Sequence, residues 1–484
     1  MNTSFNSELK NWVSKEKLAL ELVTYASKLY FDKNVELVLF RRKLVDKGVT
    51  EIINDHAYAR KFAQIRVSLE SSVEFAKTLC TIDLAPAKID LGRLENEWQQ
   101  ESANYTGKSS FLNEKLANYI GADKINIEPK DVVLYGFGRI GRLAARLLTA
   151  QVGVGGQLRL KAIVVRKKGD DDLVKRASLL RKDSVHGKLA GTVSVDHENN
   201  RLLVNGNAIQ VIYANHPSEI DYTKHDIKDA LIIDNMGIWK DRKALSQHFE
   251  AKGASQVLLT APAGDDIENV VYGINHDDVD LDKETIFSAA SCTTNCIAPV
   301  LQIVEDKYGI QDGHIETIHA YTNDQNLIDN IHKKGRRGRS AALNMVLTST
   351  GAANAAIKIF PYLKGKLTAS AVRVPTPNAS IAILALNLNN KVEGGVEEMN
   401  ELFRQAALTG ALVEQVGYAA SAEHVSSDVV GNTNATEIDS LNTIVSESGK
   451  RTVLYAWYDN EYGYTNQVIR YAKHIAKVRR LTYF

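Results

Sequence analysis

Two residues of this chain have the types and spacing for covalent chemistry. Cys292 stands in SCTTNC (291–296), which reads as the mouth of a helix beginning near Thr293, and His319 follows on a strand-like run. The free amides and dipole at a helix amino end favour thiolate over thiol. An imidazole at His319 could remove the thiol proton, then act as base and acid. Taken alone, a cysteine is more often an inert buried side chain and a histidine more often structural; Cys296, one helical turn on, is assigned to that inert class. Upstream, GFGRIGR (136–142) closes a short apolar strand and opens a helix. In that context Gly136, Gly138 and Gly141 allow a tight turn and close backbone approach, and the helix amino end favours a pyrophosphate. A nucleophilic cysteine beside a nicotinamide site points to oxidation of an aldehyde through a covalent thioester.

The elements that must hold these groups can be read around them. DVVLYGFG (131–138), the helix RIGRLAARLLTA and RLKAIVVR (159–166) make a strand–helix–strand unit of a parallel nucleotide-binding sheet. Further strands are expected at 230–235, 256–262 and 285–291. Beyond Cys292 the strands lengthen and alternate (314–322, 367–375, 380–390, 451–459), which suits a mixed sheet with one covered face. The tail EYGYTNQVIRYAKHIAKVRR reads as a closing helix. Residues 1–128 differ: they hold four of the 31 glycines (Gly48, Gly92, Gly107, Gly121) and a single proline, Pro86, and alternate apolar and charged residues at helical spacing. The spacing predicts helices near 8–30, 34–47, 52–80 and 109–121. The fold class expected is α/β: a Rossmann-type dinucleotide-binding domain (129–291 with 459–484), an α+β catalytic domain (292–458) and a helical N-terminal extension (1–128).

With 484 residues the chain can bury two or three cores. A net charge of +1 offers no case for nucleic-acid binding by bulk charge. Three cysteines (Cys80, Cys292, Cys296) make no disulfide framework and fit a reducing cytosol. The amino terminus lacks signal-peptide order, and no uncharged apolar run approaches the roughly 18 residues of a membrane span. The expectation is a cytoplasmic protein with no membrane partner and no metal site.

Seven strings then fall in one order: GFGRIGR (136–142), KDSVHG (182–187), SCTTNCIAP (291–299), HAYTNDQ (319–325), STGAA (349–353), RVPTPN (373–378) and WYDNEYGY (457–464). Together they resemble phosphorylating glyceraldehyde-3-phosphate dehydrogenase, from about residue 130 to the end. The resemblance implies that Cys292 attacks glyceraldehyde 3-phosphate with help from His319, that a hydride passes to the nicotinamide of NAD or NADP, and that inorganic phosphate releases 1,3-bisphosphoglycerate. By the same resemblance the Cys292 amide and His319 stabilise the oxyanion. Ser291, Thr293, Thr322, Arg336, Thr350, Gly351 and Arg373 match phosphate-binding positions, Asn460 holds the carboxamide, and Arg139 and Ile140 lie over the pyrophosphate. The family is usually a homotetramer, in which the segment around 321–341 lies near a neighbouring cofactor.

Three departures from the family pattern matter. Arg166-Lys167 replaces the usual Asn-Asp at the end of the second strand, which removes the carboxylate that bars a 2′-phosphate. NADP is therefore predicted to be accepted and preferred, with NAD still usable. Asn235-Met236-Gly237 replaces Ser-Thr-Gly, leaving local cofactor contacts open. The first 128 residues match a long form of the family. Other readings stay open: erythrose-4-phosphate dehydrogenase, a non-catalytic regulatory protein on the same scaffold, and a cysteine hydrolase, which leaves the nucleotide loop unexplained.

Overall fold

Strands that are apolar on both sides need cover on both sides. Ala230–Asp234 is buried along its whole length, and Lys130–Tyr135 over its last four residues. Both lie inside an eight-stranded sheet of the computed structural model, which describes residues 2–62, 65–150 and 156–484. Six strands of that sheet are parallel. Taken in chain order (Lys130–Tyr135, Leu158–Val165, Asn207–Tyr213, Ala230–Asp234, Ala254–Leu259, Ile286–Ser288) they are arranged 3-2-1-4-5-6. The order reverses beside the first strand, where a doubly wound sheet opens a crevice at its carboxyl edge. Arg201–Val204 and Val193–Asp196 extend the far edge antiparallel.

The second sheet is mixed, ordered Val346–Thr348, Leu367–Val374, Ile310–Ala320, Ser380–Leu388, Arg451–Tyr458, Thr436–Asp439 and Val416–Ala419. Burial alternates strictly along Ser380–Leu388, so one face is the core face. The helix Cys292–Tyr308 supplies Ile297, Leu301 and Val304 to the core that holds Leu384, Leu454 and Ala456. This helix starts where the first sheet ends and packs on the second, so its amino end sits between them. The fold is thus the expected α/β arrangement: a dinucleotide-type sheet, a mixed-sheet α+β body and a preceding region rich in helix.

That preceding region corrects two expectations. Instead of a helix over 34–47 there are strands Glu36–Leu39 and Arg42–Lys43, joined by a turn in which Phe40 and Arg41 have φ of 44° and 67°. The run VELVLF is buried throughout because Glu36–Leu39 pairs with Ala87–Asp90 beneath the helix Asn2–Lys33. Continuous burial erases the periodicity that separates strand from helix. The expected helix 52–80 is two helices, Val49–Phe62 and Leu69–Leu79, the second capped by Ser68 Oγ accepting from Ser71 N at 3.1 Å; residues 63–64 lie outside the described residues. Lys108–Lys115 is helical, with a 3-10 turn after it.

The closing helix, Tyr462–Ile475, forms as expected. The chain then returns: Leu481–Tyr483 pairs in parallel with Ala87–Ile89, completing a four-stranded sheet with the N-terminal strands. Two part-buried ion pairs add to this union, Arg480–Glu36 at 3.1 Å and Lys88–Glu414 at 2.8 Å.

Candidate active site

Cys292 is the first residue of its helix, and the chain reaches it through a strained turn. Ala290 has φ of 54°, a left-handed conformation rare for a residue with a Cβ. Asn295 Nδ2 secures the turn by donating to Ala289 O and Ser291 O, both at 2.9 Å. Ser291 caps the helix, its Oγ accepting from Thr294 N at 3.0 Å. The Cys292 side chain is half-buried at the junction of the two sheets.

His319 lies near the end of the strand Ile310–Ala320, directly opposite Arg373 in the parallel register with Leu367–Val374. Its Nε2 is 3.6 Å from Cys292 Sγ. Its Nδ1 is 2.7 Å from Ala320 O and 2.7 Å from Arg373 Nη1, and the same Nη1 donates to Ala320 O at 2.7 Å. The ring stands edge-on to Tyr458, whose hydroxyl is 3.0 Å from Thr293 Oγ1.

Burial, and then the Arg373 charge, push the His319 pKa down to about 3, so the imidazole is neutral. Burial also raises the Cys292 thiol above its ordinary value, against the pull of Arg373 and of the Thr293 and Cys292 amides. The helix amino end acts in the expected direction, but desolvation outweighs it. The resting pair is therefore thiol and neutral imidazole, not a preformed ion pair. Cys296 is fully buried and pushed up to about 12, with Sγ near Thr436 Oγ1 (3.5 Å) and Ala456 O (3.7 Å), as an inert thiol should be.

The glycine loop has the shape a dinucleotide requires. Gly136 has φ of 98°, and a Cβ there would lie 2.8 Å from Met236 Sδ; a Cβ on Gly141 would lie 2.4 Å from Gly136 O. Gly138 faces open space, with nothing within 4 Å of its Cβ position. The helix Arg139–Ala150 begins immediately after and turns its amide end to that space. The Arg139 guanidinium is held by Glu461 (Nε–Oε1 3.0 Å) and by Asp183, which leaves its backbone to face the loop. Asp183 also accepts from the amides of Val185 and His186, which makes KDSVHG a strut between the glycine-loop helix and the closing helix.

Arg166 is exposed, one residue past the strand Leu158–Val165. The acidic run after it offers no substitute carboxylate at Asp172, which accepts from Lys168 N and pairs with Arg176. Asn235 is tied to Ile233 O and Thr260 Oγ1, while Met236 leans on Gly136.

Asn460 is buried; its Oδ1 accepts from Ser380 Oγ at 2.9 Å, and Ser380 Oγ accepts from Ala320 N at 3.1 Å. A three-link chain thus fixes Asn460 relative to His319. Thr293 and Ser291 flank Cys292, each with a hydroxyl partner, although a hydroxyl can both accept and donate. Thr322 is half-buried just past His319. Thr350 and Gly351 precede the helix Ala352–Ile359, with Thr350 Oγ1 accepting from Ala352 N at 3.1 Å.

Arg336 and Arg337 differ in placement. Arg336 is exposed on the 3-10 turn Gly335–Gly338, whereas its neighbour Arg337 turns inward, bonds Thr348 Oγ1 at 2.8 Å, pairs with Asp324 and lowers the pKa values of His319 and Arg373. Successive side chains on such a tight turn point about 120° apart, so the sequence alone could not say which arginine of the pair faces in. Among the described residues His276, Asp277 and His474 bring ligand atoms within 4.8 Å of one another, a long-range grouping that no spacing reveals. Gly273 N–H donates to His276 Nδ1 at 3.2 Å, which directs that ring's proton to Nε2, the atom 3.6 Å from Asp277.

A dinucleotide-type sheet whose crevice adjoins a Cys–His pair and two inward arginines is the arrangement of a nucleotide-dependent oxidoreductase. The comparisons with known proteins agree. Residues 130–242 match the glyceraldehyde 3-phosphate dehydrogenase NAD binding domain and residues 291–460 the C-terminal domain. The chain belongs to the glyceraldehyde-3-phosphate dehydrogenase family. It is 49% identical over 460 residues (94% of this chain, 98% of the relative) to a glyceraldehyde-3-phosphate dehydrogenase-like protein of Pseudomonas aeruginosa. It is 41% identical to glyceraldehyde-3-phosphate dehydrogenase 1 of Bacillus subtilis (72% of this chain, 98% of the relative), and 40% identical to the Priestia megaterium enzyme (70% and 96%). The Pseudomonas match extends into the first 128 residues, because the rest of the chain is 356 of 484 residues, less than the 94% covered. No helix among the described residues is long and apolar enough to cross a membrane.

Proposed function

We propose that this protein oxidises glyceraldehyde 3-phosphate to 1,3-bisphosphoglycerate, with Cys292 as nucleophile, His319 as base and NADP preferred over a usable NAD. The observation that carries the reading is the 3.6 Å contact of Cys292 Sγ with His319 Nε2, with Arg373 at hydrogen-bond distance from the same imidazole. His319 Nε2 takes the thiol proton as the S–C bond forms at the aldehyde carbon. The Cys292 amide, at the helix amino end, faces the oxygen that gains charge. When bound, the dinucleotide supplies the hydride acceptor. Loss of hydride leaves a thioester on Cys292. A phosphate oxygen then attacks its carbonyl, the C–S bond breaks, and the sulfur leaves as thiolate. Arg373, Arg336 and the hydroxyls of Thr293, Thr322 and Thr350 supply charge and donors for the two phosphates, with Arg337 as a further inward cation.

Gly136, Gly138 and the backbone of Arg139 and Ile140 cradle the pyrophosphate, Asn460 orients the carboxamide, and Arg166 meets a 2′-phosphate. The sheets support the division into 1–128, 129–291 with 459–484, and 292–458, except that Leu481–Tyr483 joins the N-terminal sheet. The assembly we propose is a cytoplasmic homotetramer. Steady-state turnover of glyceraldehyde 3-phosphate and of erythrose 4-phosphate, with NAD and NADP in parallel and with and without phosphate, tests the reading. Activity surviving in Cys292→Ser, or no dependence on phosphate, removes the acyl-phosphate mechanism.

A further inference from the structure

A cleft of about 790 Å³ lies between the N-terminal region and the body, and neither Cys292 nor His319 lines it. Its size is that of a small-molecule site, about 300–1,000 Å³. The walls come from both ends of the chain: Glu36, Lys43 and Lys88 from the N-terminal sheet, Glu414 from the body, Arg470 and Lys473 from the closing helix, and Arg480 from the tail.

Charge on these walls is unbalanced. Glu36 serves Arg480 at 3.1 Å and Lys43 at 3.4 Å, and Glu414 serves Lys88 at 2.8 Å and Arg470 at 3.8 Å. Lys473 has no carboxylate within 4.0 Å among the described residues, and its pKa is driven well below the ordinary lysine value by lost water and by the charges of Arg480, Lys43 and Lys88, with Glu36 opposing. Four paired cations against two carboxylates leave two positive charges in excess, beside a lysine whose own charge the cluster suppresses until an anion joins it. Elsewhere on the lining Arg41 is paired with Asp90, and Arg42 and Lys47 with Asp55, so the excess is concentrated at the Lys43, Lys88, Arg470, Lys473 and Arg480 group. A group of like charges held together out of bulk water is costly unless a counter-charge joins it.

Two aromatic rings on the walls already carry a guanidinium, Tyr58 under Arg42 at 3.6 Å and Tyr272 under Arg479 at 5.2 Å. Those two of the four lining rings are occupied, and the cations make charge and hydrogen bonding the main means of recognition. Ammonium and guanidinium donors converging from four segments suit tetrahedral oxyanions. We propose that this cleft is a binding site for a small anion carrying two or three linked phosphate groups, separate from the Cys292 site and created by the N-terminal region.

Calorimetric titration of the full chain with inorganic tripolyphosphate in magnesium-free buffer tests this, with inorganic phosphate as the single-group comparison. One tripolyphosphate site per chain is expected, at least tenfold tighter than phosphate, and retained in an Arg166→Ala/Arg373→Ala double variant that disables the dinucleotide and substrate sites. Lys473→Met should weaken it at least tenfold while keeping the volume of the side chain. Lys43→Gln, at a position 42% exposed, should weaken it several-fold and decides the matter if Lys473→Met does not fold. Parent-like affinity in both lysine variants, or loss of the site in the double variant, overturns the proposal. No binding to the parent chain does the same.

Discussion

Arg373 places Nη1 2.7 Å from His319 Nδ1, and both atoms lie 2.7 Å from the carbonyl oxygen of Ala320. These contacts cannot all be satisfied at once. If Nδ1 carries a proton for Ala320 O, it meets a guanidinium donor; if it accepts from Arg373, the proton moves to Nε2 and the ring cannot take one from Cys292. A phosphate that draws Arg373 away leaves Nδ1–H on Ala320 O and the Nε2 lone pair facing sulfur. The arginine therefore links substrate charge to the tautomer of the base. Arg373→Lys keeps the charge and loses the fork, whereas Arg373→Ala loses both. Charged hydrogen bonds at about 1.5–3 kcal/mol each imply a fall in kcat/KM of about 100-fold or more for Arg373→Ala in steady-state kinetics. Less than a fivefold fall would mean that Arg373 serves neither role.

Cys292 reactivity should follow its surroundings. Burial raises the thiol pKa and Arg373 lowers it, so in dinucleotide-free protein the rate of iodoacetamide alkylation should climb with pH through the ordinary thiol range. Removing the cation in Arg373→Ala should slow alkylation at pH 7.5. His319 is already neutral throughout this range, with a pKa near 3, so it contributes no rising limb between pH 5 and 7. A rate already flat from pH 6 upward would show a preformed thiolate and contradict the neutral pair.

The dinucleotide loop can be probed without disturbing the fold. Gly138 has open space around its missing Cβ, so Gly138→Ala should fold with an unchanged melting temperature. If a pyrophosphate packs on that face, the added methyl should still raise the Kd of both dinucleotides at least tenfold by fluorescence titration. Unchanged affinity would place the pyrophosphate elsewhere.

Arg166 separates the two cofactors. It is exposed, so its bond to a 2′-phosphate is worth only about 1 kcal/mol, roughly fivefold in affinity. Arg166→Ala should cost NADP about that factor and leave NAD unchanged, measured by the same titration. Equal changes for both would remove this arginine from the choice of cofactor.

What could be read from the chain, and what could not, divides along the range of the interactions. Gly136–Gly141 and the Cys292 helix are local: a strand, a turn and a helix start within a few residues, so their pattern was legible. The alternation in Ser380–Leu388 reported a one-sided sheet for the same reason. The strand Glu36–Leu39 reads as helix in sequence because its burial comes from Ala87–Asp90 and the first helix, contacts with no trace in local periodicity. Arg337 and Arg336 are chemically equivalent neighbours, and only the tight turn distinguishes them. The raised thiol pKa is likewise a property of the assembled cleft: the helix dipole can be read from sequence, whereas desolvation cannot.

The union of the N-terminal region with the body should fail in acid. Glu36 and Glu414 are both held below the usual carboxylate range by their cations, Glu414 to about 2, against the cost of burial. A carboxylate whose folded pKa is depressed stabilises the fold above its unfolded value of about 4.3, and the contribution is lost as pH falls toward the folded value. Between pH 5 and 3 these carboxylates should therefore progressively lose their stabilising effect, while the cations around them remain charged and repel. Hydrogen exchange followed by mass spectrometry should show Ala87–Asp90 and Leu481–Tyr483 losing protection before the central strand Lys130–Tyr135. That strand is anchored by the apolar core around Val132 and Leu134 and, among the described residues, has an ion pair only at its first residue, Lys130–Asp229. Glu414→Gln should move that loss to higher pH. Simultaneous exchange of all three strands, or no shift in the variant, would mean that the ion pairs do not govern the joint.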